Sequence, residues 1–309
     1  MFKYLAVIVT YNRAEKLKRE VNSLLLQTVK PSKIIVVDND SSDNTHDYMT
    51  ALARDNSKIV YKKMNKNCGG AGGFYEGIAL AKRFNVDWIA LADDDAIYDK
   101  EFFKNIALAS QKNNDIFCFT GSVRYPTGEI QLDHRRQTRE KIFIHQNNIP
   151  IECYQQNFYL QAFSFVGVVI NKHMVDKVGL PEREYFIWCD DTEYSLRVNK
   201  YTPILNISAA IVYHDTKKDS NNKYQGYIPN WKYYYGLRNS ILMNKKHSKH
   251  PSIYKFFLFF LEIKKIVTPL VKYRYYHPYI FKTMIMYHKA FHDGENSISG
   301  INSQFLPKK

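Results

Sequence analysis

Residues 88–95 read Trp-Ile-Ala-Leu-Ala-Asp-Asp-Asp, a run of five apolar side chains that ends in three consecutive carboxylates. A short, continuous apolar run of this kind is typical of a β-strand that is buried on both faces. Three adjacent carboxylates repel one another, so folding them together is unfavourable unless a cation neutralises them. In isolation, such a triplet is most simply a solvated acidic turn. At the end of a buried strand it instead predicts a site where Mg²⁺ or Mn²⁺ binds together with a diphosphate.

The chain on either side of this stretch alternates between buried runs and helical periods. Apolar runs at residues 5–10, 34–37 and 59–61 predict three further strands. Between the first two runs, apolar residues from Leu17 to Leu25 recur at the spacing of one helix face. This alternation predicts an α/β fold with a Rossmann-like, mostly parallel sheet and flanking helices. Ligands of such sheets bind beyond the carboxyl ends of the strands, where the aspartate triplet is expected.

Polar and glycine-rich segments follow the other predicted strands. Asp38 directly ends the second apolar run, and Asn67 precedes four glycines in five positions, among them Gly69 and Gly70. Glycines allow the backbone to approach a ligand closely, and amide groups at a helix start bind anions. The cluster lacks the Lys-Ser/Thr pair of a P-loop and the GxGxxG order of a dinucleotide fold. This argues against a nucleotide triphosphatase and against a dehydrogenase.

Two later segments add candidate catalytic groups. Residues 188–193 read Trp-Cys-Asp-Asp-Thr-Glu, which places Asp191 near a predicted helix start. In isolation Asp191 is most simply a helix cap, and its functional interpretation is a general base that accepts a proton from an acceptor hydroxyl. His214 follows a short predicted strand; a lone histidine is more often structural, but beside two carboxylate groups it is a suitable metal ligand.

The remaining predicted elements are less regular. Strands are predicted at residues 117–123, 163–170, 204–207 and 210–213. Helices are predicted at residues 190–200, 231–245 and 252–265. Ser41, Ser42 and Asp43 have the side chains that favour helix N-caps, so they are expected to open a helix after the second strand.

Basic residues are concentrated in the C-terminal part of the chain. From Lys217 onward there are 17 Lys and Arg but only four Asp and Glu, whereas the first 216 residues are nearly balanced. We therefore predict a ligand-binding and catalytic domain at 1–216 and a basic, aromatic-rich helical region at 217–309. Phenylalanines from Phe256 to Phe260 stand among lysines, which favours association with an anionic membrane surface. A packed helical subdomain with a basic outer face accounts for the pattern equally well.

Composition also bears on the compartment. Hydrophobic residues make up 45% of the chain and charged residues 24%, an ordinary globular balance. The four cysteines are far apart and form no CxxC pair, which suggests a reducing compartment. The N-terminal apolar run predicts a buried strand and not a signal peptide, and no run reaches the roughly 18 apolar residues of a membrane-spanning helix. We expect a cytoplasmic protein, peripheral at the inner face of the cell membrane.

The order and spacing of these motifs resemble the inverting GT-A glycosyltransferases of family 2. The resemblance covers roughly residues 3–240 and rests on Val9–Arg13, Val36–Ser41 and the aspartate triplet. A closer similarity, to the galactofuranosyltransferases, is carried by Asn67–Phe74, Trp188–Glu193 and His214. Some bacterial rhamnosyltransferases share related patterns. The resemblance implies a metal-dependent hexosyltransferase with a GT-A fold.

The resemblance also implies roles for individual residues. Those that would contact the nucleotide sugar are Thr10, Asn12, Arg13, Asp38, Asn67, Gly69, Gly70, Asp93 and Asp94. Asp95 and His214 would hold a divalent metal, Mn²⁺ or Mg²⁺, and Trp188 would form a wall of the acceptor site.

The general base is expected from the acidic pair that follows Trp188. Asp191 would take this role, with Asp190 as its neighbour. Cys189 is a departure, because the family often has the acidic pair directly after the tryptophan. The choice between Asp190 and Asp191 therefore stays open at this point.

The implied reaction moves galactofuranose from UDP-galactofuranose to a glycan, in the simplest case a lipid-linked one, during cell-surface polysaccharide synthesis. Transfer of rhamnose from dTDP-rhamnose is the alternative within the same fold. A nucleic-acid-binding protein would explain the basic tail, but no recognised module supports it, so no nucleic-acid partner is expected. A non-catalytic assembly subunit would keep the fold, but it has no evident need for clustered acids beside His214. A homo-oligomer is left open.

Overall fold

The computed structural model of the protein describes residues 2–140, 142–216 and 227–307. Within these residues the strands are β1 (Tyr4–Thr10), β2 (Ile34–Asp38), β3 (Ile59–Lys63), β4 (Trp88–Asp93), β5 (Ala96–Tyr98), β6 (Cys118–Arg124), β7 (Arg135–Glu140), β8 (Ile144–Asn148), β9 (Phe158–Leu160), β10 (Ala162–Phe163), β11 (Val168–Asn171) and β12 (Ile204–His214). The helices are α1 (Ala14–Leu25), α2 (Thr45–Asp55), α3 (Gly69–Ala81), α4 (Phe102–Lys112), α5 (Lys172–Val178), α6 (Asp190–Asn199), α7 (Lys232–His247), α8 (Pro251–Val271), α9 (Tyr273–Tyr276) and α10 (Ile280–Glu295). The strand–helix alternation of the first hundred residues is as predicted.

The larger sheet has the strand order β3-β2-β1-β4-β11-β6-β12-β5, with β9 also paired to β12. Strands β3, β2, β1 and β4 are parallel neighbours, and β6 is parallel to β12. Strand β11 runs antiparallel between β4 and β6. Alternate residues of β1 enter two separate hydrophobic clusters, because successive side chains of a strand point to opposite faces. The predicted α/β fold with a mostly parallel central sheet is confirmed.

Helix α3 packs closely on β1 because glycines face the strand. A Cβ atom at Gly77 would lie 2.3 Å from Cγ1 of Val7, and one at Gly73 would lie 2.4 Å from Cγ1 of Val9. Atoms cannot approach so closely, so only glycine allows this helix–sheet distance. Part of the glycine-rich segment is therefore required for helix–sheet packing.

Some predicted boundaries are wrong, each for a local reason. The strands predicted separately at 204–207 and 210–213 form one continuous strand, β12. Its pairing with β6 shifts register between Ile207 and Ile211, an irregularity that a strand can contain without ending. The strand predicted at 163–170 is interrupted at Gly167, whose φ is 66°, a left-handed conformation that is incompatible with an extended strand. Helix α2 begins only at Thr45, so Ser41 and Ser42 precede its first turn.

Contacts divide the described chain into two compact units. The first unit contains residues 2–137, 146–183 and 191–216, and the second contains 138–140, 142–145, 184–190 and 227–307. The predicted domain boundary after residue 216 adjoins residues 217–226, which lie outside the described ranges, and it stays a prediction.

The second unit is helical. Its α7 carries the buried residues Tyr234, Tyr235 and Arg238, and the Arg238 guanidinium lies 5.4 Å and 4.9 Å from the centres of the two tyrosine rings. Helix α8 buries Tyr254 and Leu258 and continues beyond its predicted end at residue 265. Among the helices of the described residues, none combines the length and hydropathy that crossing a bilayer requires.

Candidate functional site

The aspartate triplet at the end of β4 is surrounded by polar groups of the first unit. Thr10, at the end of β1, donates its hydroxyl to Asp94 Oδ2 at 2.7 Å. Arg13 Nη1 lies 3.0 Å from Asp94 Oδ1 and 3.0 Å from Asp95 Oδ2. Lys16 Nζ lies 3.3 Å from the same oxygen of Asp95. Cations of the chain itself therefore offset part of the repulsion within the triplet.

His214 faces the other oxygen of Asp95. His214 Nε2 lies 3.1 Å from Asp95 Oδ1, a buried atom without a well-aligned hydrogen-bond donor. Gln131 Nε2 donates to the His214 carbonyl at 2.9 Å, which leaves Gln131 Oε1 as the acceptor 2.9 Å from His214 Nδ1. Nδ1 therefore carries a hydrogen, and Nε2, which faces the carboxylate, can hold either a proton or a metal cation. Two electron-rich atoms in this position favour a proton or a metal cation between them.

The same two groups fit a divalent metal ion. Carboxylate oxygen and imidazole nitrogen are both ligands of first-row divalent metals, and a ligand histidine usually donates its second ring nitrogen to an oxygen, as His214 does. In the part of the chain that the structure describes, no group of three or more His, Cys, Asp or Glu side chains is arranged to hold a metal. Among the described residues, Asp95 and His214 could together supply two ligands, and phosphate and water oxygens would fill the remaining positions.

Burial and neighbouring charges separate the acids of the triplet by pKa. Burial, together with the charges of Asp95 and Asp94, raises the pKa of Asp93 to about 7. Burial also raises the pKa of Asp94, although Arg13 opposes it. Burial acts in the same direction on Asp95, but its interactions with His214 and the nearby cations outweigh burial and lower its pKa to about 2. Asp95 is therefore the acid of the triplet that stays ionised over the widest pH range.

The side chain of Asn12 ties the loop after β1 to the loop after β2, and Asp38 holds the second loop from within. Asn12 adopts a left-handed φ of 54°, and its Oδ1 accepts from the Ser42 amide at 2.7 Å. Asp38 is buried and accepts from the Ser41 amide at 2.8 Å and from the Tyr61 hydroxyl at 2.7 Å. Both residues lie at the carboxyl ends of parallel strands. Asp38 shapes the loop from within, and its predicted contact with a nucleotide stays a prediction.

The glycine loop before α3 is held by two asparagines. Asn67 Oδ1 accepts from the Gly69 amide at 2.8 Å, and Asn39 Nδ2 donates to the Gly69 carbonyl at 2.9 Å. Gly69 has a φ of 71°, which favours glycine, whereas a Cβ at Gly70 would meet no atom within 4 Å. Gly70 thus borders open space, and the structure gives no packing reason for its lack of a side chain.

The acidic pair begins α6. Asp190 is buried, whereas the Asp191 side chain is 24% exposed, with Oδ2 3.8 Å from Arg136 Nη2. Asp191 Oδ1 accepts from the Thr192 amide at 2.5 Å, an interaction that orients the carboxylate. Of the two acids, Asp191 has the more exposed side chain.

Trp188 belongs to the second unit, where it lies against α7. A Cβ at Gly236 would come within 2.6 Å of Trp188 Cε3, so the indole lies directly on the helix backbone. Trp188 as a whole residue is 40% exposed. Its predicted contact with an acceptor stays a prediction.

Three residues of the site were not singled out from the sequence. Lys16 lies one turn after Arg13 on α1, a spacing that places both cations on one face, so this residue had a readable signal. Asn39 directly follows Asp38 at the strand end, and this position is a weaker sequence signal for a site residue. Gln131, which fixes the tautomer of His214, comes from an irregular segment that carries no pattern.

The fold and this acidic, histidine-containing edge define the class of the protein, which has the GT-A fold. The sequence matches the family described as "Glycosyl transferase family 2" over residues 5–168. This match covers more than half of the chain, so the chain belongs to glycosyltransferase family 2.

Similar sequences include the galactofuranosyltransferase GlfT1 of Mycobacterium tuberculosis (strain ATCC 25618 / H37Rv). This relative is 38% identical over 201 residues, which span 62% of this chain and 63% of its own length. The dTDP-rhamnosyl transferase RfbF of Shigella flexneri is 26% identical over 78% of this chain and 80% of its own length. The chain thus aligns with less than two thirds of the length of GlfT1, and its similarity to galactofuranosyltransferases is as the motifs predict.

Similar solved structures confirm the fold. One is a crystal structure of GalNAc-T7 with UDP, GalNAc and Mn²⁺, which has a TM-score of 0.64 and 14% identity and covers 96% of this chain and 56% of the other. Another is Staphylococcus aureus TarS 1-349, with a TM-score of 0.56 and 13% identity over 96% of this chain and 83% of the other. At these identities the likeness concerns the fold alone.

Proposed function

We propose that this chain is an inverting glycosyltransferase that moves a sugar from a nucleotide sugar to a glycan. The observation that carries the proposal is the Asp95–His214 pair, in which the carboxylate Oδ1 and the imidazole Nε2 face each other 3.1 Å apart at the carboxyl edge of a family 2 sheet and could share a cation. A nucleoside diphosphate brings the phosphate oxygens that would complete the coordination of such a cation.

The donor would bind along the carboxyl ends of β1, β2 and β4. Residues proposed to contact it are Thr10, Asn12, Arg13, Asp38, Asn67, Gly69, Gly70, Asp93 and Asp94. Their position at the strand ends and at the start of α3 supports this proposal. Arg13 already bridges Asp94 and Asp95, so it is held in place before a donor arrives.

Asp95 and His214 would hold a divalent cation, Mn²⁺ or Mg²⁺. When bound, the cation supplies positive charge that stabilises the negative charge developing on the departing diphosphate. Gln131 keeps the Nε2 of His214 free for this role, because it accepts the hydrogen on Nδ1. Arg13 and Lys16 compensate the second oxygen of Asp95.

Asp191 would be the general base. It would accept the proton of the acceptor hydroxyl through Oδ2 while the amide of Thr192 holds Oδ1. Attack from the face opposite the leaving diphosphate then inverts the anomeric centre. Burial of Asp190 supports the choice of Asp191.

The favoured donor is UDP-galactofuranose, and dTDP-rhamnose is the second candidate. The similarity to GlfT1 at 38% identity supports the first, and the longer but weaker similarity to RfbF supports the second. The acceptor would be a glycan, in the simplest case a lipid-linked glycan of a cell-surface polysaccharide.

A panel of nucleotide sugars, each with and without Mn²⁺ or Mg²⁺, tests the proposal. We expect thermal stabilisation by UDP-galactofuranose that requires the metal, together with release of UDP when a glycan acceptor is added. His214→Ala should lose the metal-dependent part of the stabilisation, whereas His288→Ala, a change at an exposed histidine of the second unit, should retain it. Stabilisation by dTDP-rhamnose alone would identify dTDP-rhamnose as the donor in place of UDP-galactofuranose. No response to any nucleotide sugar would reject the proposed transferase function.

The second unit would associate with an anionic membrane surface from the cytoplasmic side. Helix α8 exposes an apolar stripe made of Phe256, Phe260, Ile263, Val267 and Leu270. These residues are three or four positions apart, so they line one face of the helix. Lys255 and Lys264 accompany the stripe, and lysines beside aromatic groups suit the headgroup region of anionic lipid.

A further inference from the structure

A second histidine of the first unit, His134, is buried beside the Asp95–His214 pair. It ends a short 3₁₀ turn, Leu132–His134, and is only 7% exposed. Its ring meets that of His214 edge to face, with 4.9 Å between the ring centres. Buried imidazole nitrogens need hydrogen-bond partners. The partners of His134 connect it to the candidate cation site.

One side-chain oxygen joins the two histidines. Gln131 Oε1 lies 2.9 Å from His134 Nε2 and 2.9 Å from His214 Nδ1. The amide nitrogen of Gln131 points the other way, because it donates to the His214 carbonyl at 2.9 Å. An amide oxygen accepts through two lone pairs and donates nothing, so each ring donates one hydrogen to it. His134 and His214 therefore share a single acceptor.

The reversed orientation of the Gln131 amide is unfavourable. It would place Oε1 where Nε2 now lies, 2.9 Å from the His214 carbonyl oxygen, and two acceptors at this distance repel each other. It would also direct an NH₂ group at His214 Nδ1. A neutral His214 would then carry its hydrogen on Nε2, which faces Asp95, and this hydrogen would compete with a cation. The hydrogen on His134 Nε2 opposes the reversal as well, because it would face the same NH₂ group.

His134 is itself held from its other side. Its Nδ1 forms a hydrogen bond of 2.5 Å with Ser164 Oγ, and its carbonyl accepts from the Ser164 amide at 3.1 Å. The guanidinium of Arg135, which is fully buried, donates to the same carbonyl at 2.9 Å. Ring and backbone of His134 are therefore both fixed, and the ring presents its Nε2 hydrogen to Gln131.

We propose that Gln131 and His134 are positioning residues of the cation site, with His134 acting through Gln131. The inference rests on the proposed function, in which Asp95 and His214 hold a divalent cation. A ligand histidine is usually oriented by an oxygen that accepts from its second ring nitrogen, and loss of such a partner weakens metal binding about 10–100-fold. Gln131 supplies this oxygen. His134 occupies its second lone pair and so keeps the amide in the orientation that leaves His214 Nε2 available.

Mn²⁺ affinity, measured on the full chain with UDP from the EPR signal of free Mn²⁺, tests the role of Gln131. Gln131→Leu has a similar size but no acceptor, and we expect the affinity to fall by at least about tenfold. Gln27→Leu is the matched control, because Gln27 is also buried and donates to two backbone carbonyls, of Ser23 and Asp99. The control should retain the affinity. Equal affinities of wild type and Gln131→Leu, or equal losses in both variants, would overturn the role of Gln131.

His134→Phe tests whether His134 acts through Gln131. Phenylalanine keeps an aromatic ring but lacks the Nε2 donor, so the affinity for Mn²⁺ should fall, by no more than in Gln131→Leu. The double variant should bind Mn²⁺ as Gln131→Leu does, because residues that act as one unit have non-additive effects. Losses that multiply would mean that His134 acts independently of Gln131. An unchanged affinity in His134→Phe would remove His134 from the role.

Two further readouts separate this inference from the proposed function. Two-bond ¹H–¹⁵N NMR spectra of histidine-labelled, metal-free protein report which ring nitrogens carry hydrogen, and His134 Nε2 without hydrogen would overturn the inference even if Gln131→Leu did not fold. Urea denaturation without metal checks that each variant folds. If the wild type binds no divalent cation with UDP, the cation role of His214 and this inference fail together. If it binds Mn²⁺ and the variants do so equally well, the positioning inference alone is wrong.

Discussion

Single residues decide which carboxyl groups of the sheet edge can act in chemistry. Asp95 keeps its charge because His214, Arg13 and Lys16 surround it, whereas burial holds Asp93 closer to its neutral form at pH 7. Asp191 stands apart from this group, with Oδ1 held by the Thr192 amide and Oδ2 3.8 Å from Arg136 Nη2. The division suits a site in which one acid binds a cation and another accepts a proton.

Replacement of Asp191 by Asn tests the proposed base. The amide keeps the shape and the interaction with Thr192 in part but cannot accept a proton, and base catalysis contributes about 10²–10⁴-fold. We expect turnover to fall by that factor while the dissociation constant of UDP with Mn²⁺ is unchanged. Turnover close to that of the wild type would remove Asp191 from this role, and the same measurement on Asp190→Asn would then show whether its neighbour takes it.

A second residue, Glu20 on α1, makes stability depend on pH. Glu20 is fully buried, and neither carboxyl oxygen has a hydrogen-bond partner. Burial, with the nearby aspartates, raises its pKa well above 4.5 in the folded state. The unfolded chain therefore loses this proton at lower pH than the folded one does, so stability falls as pH rises from 4.5 towards the folded pKa.

Glu20→Gln should abolish this contribution. Within the window the wild type should lose about 1.4 kcal/mol of unfolding free energy per pH unit relative to the variant, the value for one proton. Urea denaturation of both proteins between pH 5 and pH 8 measures the difference. Parallel pH profiles would mean that Glu20 is ionised, or paired, in the folded protein.

The sequence predicts the identity of many residues at the edge of the sheet but not their interactions. The aspartates and Arg13 could be found because they follow apolar strands in a recognisable order. The role of Gln131 could not, because it depends on an irregular segment folding back onto β12. The left-handed backbone at Trp188, with a φ of 64°, was also hidden, because Asn239, whose side-chain amide donates to the Trp188 carbonyl, is 51 residues away.

At the scale of elements, α3 shows how one motif serves two purposes. Its first glycines form the loop at the sheet edge, and its later ones allow the helix to approach β1. The sequence suggested the first purpose alone, because a ligand loop and a close helix–strand contact both require glycine. Irregularities within strands were also hidden: nothing in the apolar pattern marks the register shift in β12.

Gly77→Ala tests the packing role of α3. The new methyl group would meet Val7 at 2.3 Å, and overpacking of this kind costs about 1–3 kcal/mol. We expect a loss of unfolding free energy in that range, measured by urea denaturation. Gly70→Ala is the matched control: it lies on the same helix with no atom within 4 Å, so its stability should be unchanged or up to about 1 kcal/mol higher. Equal effects of the two changes would mean that α3 has room to move away from β1.

At the scale of the whole molecule, charge and apolar surface divide between the two parts of the chain. The excess of basic residues lies after residue 216. In the described part of that region, α8 exposes phenylalanines to solvent, which is unfavourable for apolar side chains. Charge attracts an anionic surface from a distance, and the apolar stripe supplies the contact at short range. A second copy of the chain could cover the stripe instead, because the spacing of the stripe residues is also that of a helix–helix interface.

Substitution of Phe256 and Phe260 by Ser distinguishes the two occupants. Both side chains are exposed, at 62% and 51%, so the buried face of α8 and the fold should be unaffected. A fully buried phenylalanine contributes about 1.5–3 kcal/mol, so the double variant should bind phosphatidylglycerol vesicles at least tenfold more weakly in a sedimentation assay. Serines at Leu26 and Leu108, exposed leucines of the first unit, should leave binding unchanged. If the wild type ignores vesicles but is a dimer that the double variant dissociates, the stripe joins two copies and the membrane proposal is wrong.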